Sequence, residues 1–387
     1  MTTIQKNIAE LQVMRGVGIM FVMLHHVGGN LLPFNHEFTG IFFAYFSASP
    51  FMDMFFVLSG FLICGVLLKD LGPSESRYHS LQISSAFWVR RAWRLLPAAW
   101  IWLLFAVLLT AFANESGAFG SVREAFGGAL AALLQVANFK FVDCWNNTYS
   151  CGPTFPYWSL SLEEQFYIFL PLLIIFSGKW MLRIIVVFAA TQFFIEPLMP
   201  PATFRLQGFL LGVLMAIWSR TPSYGIFEPV FLTRTKWGRR FVLFLLLACM
   251  CTLQSGFIPK AVQFQLSAIV GGFLVYLASF DSNYLWQDGW FKRFGVWVGA
   301  RSYSMYLCHI PMFLLTREIA FRAWGSDGSS TPYYDFYLLA GGLVLVVVAS
   351  DLTYRLLERP LRKKGQIITN EMIERQNLQR NAKPEAV

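Results

Sequence analysis

Long apolar runs recur along this chain too often for a single soluble core, at 14–33, 41–68, 95–113, 160–178, 184–200, 203–218, 241–256, 262–280, 303–321 and 335–355. Each approaches the ~20 residues a helix needs to cross the hydrocarbon of a bilayer. Composition agrees, because 56% of the residues are apolar and only 14% are charged, against about 25% charged in soluble domains. Lipid offers no partner to a backbone N–H or C=O, so such runs must be helical. The chain therefore reads as an all-α, multi-pass membrane protein with about ten transmembrane helices. A further apolar piece, 126–138, is too short to span and reads as re-entrant or interfacial.

Lys and Arg alone set the orientation. Of the 31, only Arg123, Lys140, Arg205, Lys260, Arg317 and Arg322 fall outside or within spans when the N-terminus is cytoplasmic. Both termini are then cytoplasmic, the loops around Thr148 and Gly328 face outward, and those around Ser76 and Gly225 face inward. The net charge of +9 is mostly this bias, and it calls for no nucleic acid. The first run has spanning length and no small-residue cleavage site, so it is expected to be a helix rather than a signal peptide. Residues 10–362 form the transmembrane domain. Residues 363–387 form a basic, polar tail expected to be flexible, disordered or loosely helical, and Arg359-Pro360-Leu361-Arg362-Lys363-Lys364 reads as a lipid headgroup anchor. No appended soluble domain is expected. Cys64, Cys249, Cys251 and Cys308 lie within runs and read as small apolar residues. Cys144 and Cys151 bracket an outer polar loop, where either a short disulfide or two free thiols fits.

Ionisable residues inside membrane spans are costly and mark functional sites. His25 and His26 interrupt the first run. Arg15 and His26 are eleven residues apart, about 20° beyond three helical turns, so they share a face and stand about 16 Å apart along the axis. His25 points about 80° away, which favours His26 as the reactive one. Asp53 sits in the second run and needs a partner; it reads either as a packing ion pair or as the orienter of His26. Ser59-Gly60 reads as a close helix contact rather than a nucleophile. Arg90, Arg91 and Arg94 precede the third crossing beside Trp88 and Trp93. Arg90 and Arg94 share a face. As a cluster they suit a phosphorylated, ring-bearing ligand; singly, each suits a membrane anchor. In the segment 157–167, Ser161 and Glu164 have the spacing of a capping box, which leaves Glu163, on a face with Tyr167, without an ordinary role. His309 lies about two turns into the ninth run, one turn after Tyr306.

Taken together, these blocks resemble the acyltransferase 3 family of bacterial membrane O-acyltransferases: Arg-Gly at 15–16 with His26, Phe-Phe-Val-Leu-Ser-Gly-Phe-Leu-Ile at 55–63, Arg-Arg-x-x-Arg-x-x-Pro at 90–97, Trp-Ser-Leu-x-x-Glu-x-Gln-Phe-Tyr at 158–167, Arg205 with Gly208 and Gly212, Ser-Tyr-Ser-x-Tyr-Leu-x-His at 302–309, and Glu-x-Pro at 358–360. Gly18 stands where the family usually has Ala, and His25 where it commonly has an aromatic residue. The resemblance implies transfer of an acetyl or similar short acyl group from cytoplasmic acyl-CoA, acetyl-CoA foremost, to a hydroxyl of a surface or secreted carbohydrate or glycolipid, with no metal and at the bacterial inner membrane. A member without an appended esterase-like domain is expected to complete the transfer itself. The implied catalytic residues are His26, Asp53, Arg15, Glu163 and His309. Arg90, Arg91 and Arg94 hold CoA, and Trp158, Tyr167, Arg205 and His25 bind the acceptor. In this reading His26 is the base, Asp53 holds its tautomer, and Glu163, Trp158 and Tyr167 meet the sugar from outside. A proton-coupled glycan or lipid carrier is the rival reading of the same intramembrane charges, and the chain shows no internal repeat of the kind many carriers have.

Overall fold

The computed structural model describes residues 8–32, 45–71, 77–147, 149–194, 205–254, 258–325 and 333–382. Thr148, Gly328 and Ser76 lie outside the described residues, as do 33, 41–44, 195–200, 203, 204, 255 and 256 of the expected spans. The helices are α1 Ala9–Asn30, α2 Pro50–Asp70, α3 Arg77–Phe112, α4 Val122–Leu133, α5 Ala137–Asn146, α6 Tyr157–Ser177, α7 Met181–Phe194, α8 Gln207–Trp218, α9 Pro222–Ile226, α10 Lys236–Thr252, α11 Lys260–Ser279, α12 Trp290–Trp324, α13 Tyr334–Thr353 and α14 Arg359–Ala382. No strand occurs among the described residues. Among the described residues, six stretches are long and apolar enough to cross a membrane: α1, α2, α3, Tyr157–Phe193, Val262–Ser279 and Tyr334–Gln376. The fourth of these contains α6 and α7, joined through a single tight turn at Gly178–Trp180. The polar tail continues from α13, through a π-helical turn at Tyr354–Glu358, as the helix α14.

Small residues let the central helices meet backbone to backbone, the usual source of cohesion where lipid removes the hydrophobic drive between helices. A Cβ at Gly16 would collide with the Gly295 carbonyl, and one at Gly60 with that of Phe209. These approaches also fix relative direction. Along α1 and α12, Val13 meets Gly295, His26 meets His309 and Asn30 meets Arg317, so the two run parallel. Along α2 and α8, Asp53 meets Gly208, Val57 meets Gly212 and Gly65 meets Arg220, so they too run parallel.

The short apolar piece forms the hairpin α4–α5. Ser121 and Glu124 close a capping box at its start. Gln165 Nε2 donates to the Gln135 carbonyl at its tip, at 2.8 Å. Gln165 lies eight residues into α6, or about 12 Å from that helix's start. Leu130, Leu133 and Leu134 face outward, as either a re-entrant or an interfacial hairpin requires. Beyond it, Cys144 and Cys151 are joined by a disulfide.

Candidate active site

A cavity of about 100 Å³ opens between α1, α2, α3, α6 and α12, lined by Arg15, Arg91, Arg94, Glu163, Ser59 and Tyr306 among others. It lies toward the end of the bundle where α1 begins. Arg91 and Arg94 reach it from α3 because three residues, like four, return to one helix face. Arg90 turns elsewhere: it is 4.0 Å from Asp70 and one-third exposed. The arginine pair aimed at the cavity is therefore 91 and 94, not 90 and 94.

The three guanidinium groups are sparsely partnered. Arg15 makes no hydrogen bond or ion pair among the described residues, and Nε of both Arg91 and Arg94 is buried without a partner. Arg91 lies 3.4 Å from the Tyr167 ring centroid and 3.8 Å from Glu163. Glu163 also accepts the Ser59 hydroxyl proton in a short hydrogen bond. A second carboxylate, Glu358, is 2% exposed, accepts from Ser304 Oγ at 3.0 Å, and acts electrostatically on both Arg94 and Arg15. Three cations thus meet two anions around a space that admits a ligand.

Beyond Tyr306, whose side chain lines the cavity and whose ring is 5.6 Å from that of His309, stands a histidine pair. His26 Nδ1 is 2.8 Å from His309 Nε2, with the rings 5.0 Å apart and nearly parallel. His309 Nδ1 is 2.7 Å from the Tyr306 carbonyl oxygen. A carbonyl can only accept, so Nδ1 of His309 carries the proton, its Nε2 is the acceptor, and His26 donates from Nδ1. The lone pair of His26 Nε2 is left for chemistry. Edge-on to His26 stands Phe155, and Phe141 stacks on both Phe155 and Trp158. This aromatic wall borders His26 and, through Trp158, reaches Phe56 in the cavity lining.

Several expected roles need correction. Asp53 does not touch His26: its carboxylate is fully buried and takes two hydrogen bonds from Arg205, the Nε one at 2.7 Å. Arg205 is thereby committed to Asp53 and to the Phe264 ring, so neither residue faces an acceptor. The tautomer of His26 is held by His309 instead. Tyr167 is 1% exposed beneath Arg91 and cannot stack on a sugar, and Glu163 belongs to the arginine cavity. Ser161 lies inside α6, which begins at Tyr157, and accepts from the Ala137 N–H, so it forms no cap with Glu164. One carboxylate oxygen of Glu164 is buried without a partner. His25 is half-buried with Nδ1 unpartnered, its ring 5.4 Å from that of His26. Both tryptophans beside the arginines are engaged within the protein: Trp88 donates to the Tyr167 carbonyl and Trp93 packs against α14. Ser59 and Glu358 join the site unannounced. The only sequence signal for Glu358 was its place before Pro360 in the last motif.

Residues 8–355 match the profile of a family described as an acyltransferase domain. The peptidoglycan O-acetyltransferase OatA of Listeria monocytogenes is 24% identical over 93% of this chain and 57% of its own length. A candidate peptidoglycan O-acetyltransferase of Bacillus subtilis, YrhL, is 25% identical over 93% of this chain and 56% of its own length. A Staphylococcus aureus protein named as a candidate O-acetyltransferase is 25% identical over 93% of this chain and 58% of its own length. The chain spans a little over half the length of these relatives. No solved structure matches it.

Proposed function

Because the chain belongs to the acyltransferase 3 family, we propose that it is a membrane O-acyltransferase moving an acetyl or similar short acyl group from cytoplasmic acyl-CoA to a hydroxyl of a cell-surface or secreted carbohydrate. Cell-wall glycan, the acceptor class in the relatives' names, is the first to test. The protein resides in the bacterial inner membrane and crosses it ten times, with both termini cytoplasmic. In that arrangement the first and ninth crossings, and the second and sixth, run the same way, which the parallel pairs α1–α12 and α2–α8 support. The arginine cavity then opens toward the cytoplasm and the aromatic wall toward the outside.

The observation that carries this reading is the hydrogen-bonded sequence from His26 through His309 to the Tyr306 carbonyl. It fixes His26 with an unprotonated Nε2, a base whose ordinary pKa lies near neutrality. CoA phosphates dock on Arg91 and Arg94, and Arg15 points to the thioester or its developing oxyanion. The acceptor, held along Phe155 and Trp158, brings its hydroxyl to His26. The hydroxyl oxygen attacks the thioester carbonyl as Nε2 takes its proton; the C–S bond breaks, and the proton passes from His26 to the leaving thiolate. Glu163 and Ser59 hold Arg91 in place. Asp53 and Arg205 pin α2 to the segment entering α8.

Free thiol release tests the reading. Purified protein in detergent, given acetyl-CoA and isolated bacterial cell-wall glycan, liberates CoA and O-acetylates the glycan. No CoA release across a panel of surface glycans, with the folded protein confirmed, refutes it.

A further inference from the structure

The charge around the cavity is too small for its proposed donor. Arg15, Arg91 and Arg94 against Glu163 and Glu358 leave at most a single net positive charge, since the buried Glu164 also acts on Arg91 and Arg94. Acyl-CoA carries a diphosphate and a 3′-phosphomonoester, about four negative charges near neutrality. The missing countercharge has to come from the rim.

Helix α14 supplies it. It lies antiparallel along α3, fixed by a close contact: a Cβ on Gly365 would stand 2.7 Å from Trp93 Cβ. Lys364 Nζ sits 5.0 Å above the Trp93 ring. Trp93 immediately precedes Arg94, so this docking sets the first turns of α14 against the cavity's arginine end. There Arg362, exposed, acts electrostatically on both Arg94 and Glu358. A helix serving only as a headgroup anchor would need neither the glycine contact with α3 nor a cation beside a buried glutamate.

We propose that α14 is the wall of the donor site and that Arg362, on its first turn, binds a phosphate of the nucleotide portion of acyl-CoA. This rests on the donor reading given above. The test is equilibrium binding of labelled acetyl-CoA and acetyl-pantetheine, which lacks the nucleotide, to the purified full chain. Arg362→Gln weakens acetyl-CoA binding about tenfold, the loss of one charge-assisted contact, and leaves acetyl-pantetheine binding unchanged. Gly365→Leu, which pushes α14 off Trp93, shifts binding in the same direction. Lys363→Gln, one step round the helix, has at most a small effect. Equal loss for both ligands, or an equal loss with Lys363→Gln, overturns the assignment. If Arg91→Gln with Arg94→Gln weakens acetyl-CoA binding and Arg362→Gln does not, the donor reading stands and the role of α14 falls. If none of these variants weakens it, both fall.

Discussion

Replacing His309 tests the relay directly. His309 hydrogen-bonds to His26 and a backbone carbonyl, packs on the Tyr306 and Phe313 rings and is completely buried, so its removal reaches the reaction chiefly through His26. While His26 is neutral, the bond between them is an ordinary one of about 0.5–1.5 kcal/mol. As His26 takes the acceptor proton the bond becomes charge-assisted, worth about 1.5–3 kcal/mol. Only the difference counts toward kcat, about 1 kcal/mol and at most about 2.5, so at about 1.4 kcal/mol per decade His309→Ala lowers kcat roughly 5- to 60-fold, with little change in either KM. His26→Ala, which removes the base, costs about 10² to 10⁴. The decisive measurement is the double variant, assayed by thiol release after membrane insertion is verified: it is no slower than His26→Ala, because a positioning residue has nothing left to position. His309→Gln, whose amide oxygen can accept from His26 Nδ1, recovers part of the loss. Multiplying penalties in the double variant would refute the relay.

Three further outcomes follow. Asp53→Ala strands the buried Arg205 charge and destabilises the fold by about 3–5 kcal/mol, read as a lower unfolding midpoint, whereas the paired change Asp53→Leu with Arg205→Met is far milder. Arg91→Gln with Arg94→Gln raises the acetyl-CoA Kd at least tenfold and Arg90→Gln leaves it nearly unchanged; the reverse ranking would move the phosphate site to the α2 side of α3. In intact cells an impermeant thiol reagent labels Ser116→Cys and spares Gly225→Cys, and labelling in the opposite sense would put the arginines on the wrong side for cytoplasmic CoA.

Hydropathy and helical periodicity carried the sequence reading as far as single helices go. Each of the ten apolar runs overlaps a helix, and the eleven-residue spacing placed Arg15 and His26 on the face that meets α12. Which helix lies beside which is not written in a periodic pattern. Asp53 reads from the sequence either as a packing ion pair or as the orienter of His26; Arg205, 152 residues further on, meets it across the α2–α8 contact and makes it the ion pair. Ser59 lacked a neighbour of opposite character until α6 brought Glu163 to it from 104 residues away. The choice of Arg90 with Arg94 failed for a subtler reason: positions 91 and 94 satisfy the same face rule, and only the location of the cavity separates the two pairs.

The histidine sequence ends at the Tyr306 carbonyl, and an amide oxygen does not accept a proton for onward transfer. An ionisable column through a bacterial membrane lies across the proton-motive force, and a continuous wire of titratable groups would leak it. Here the path is blind. On the proposed reading, a proton taken up by His26 leaves by the face through which it arrived, to the leaving thiolate or back to the acceptor, and acid–base chemistry within the bilayer does not discharge a gradient across it.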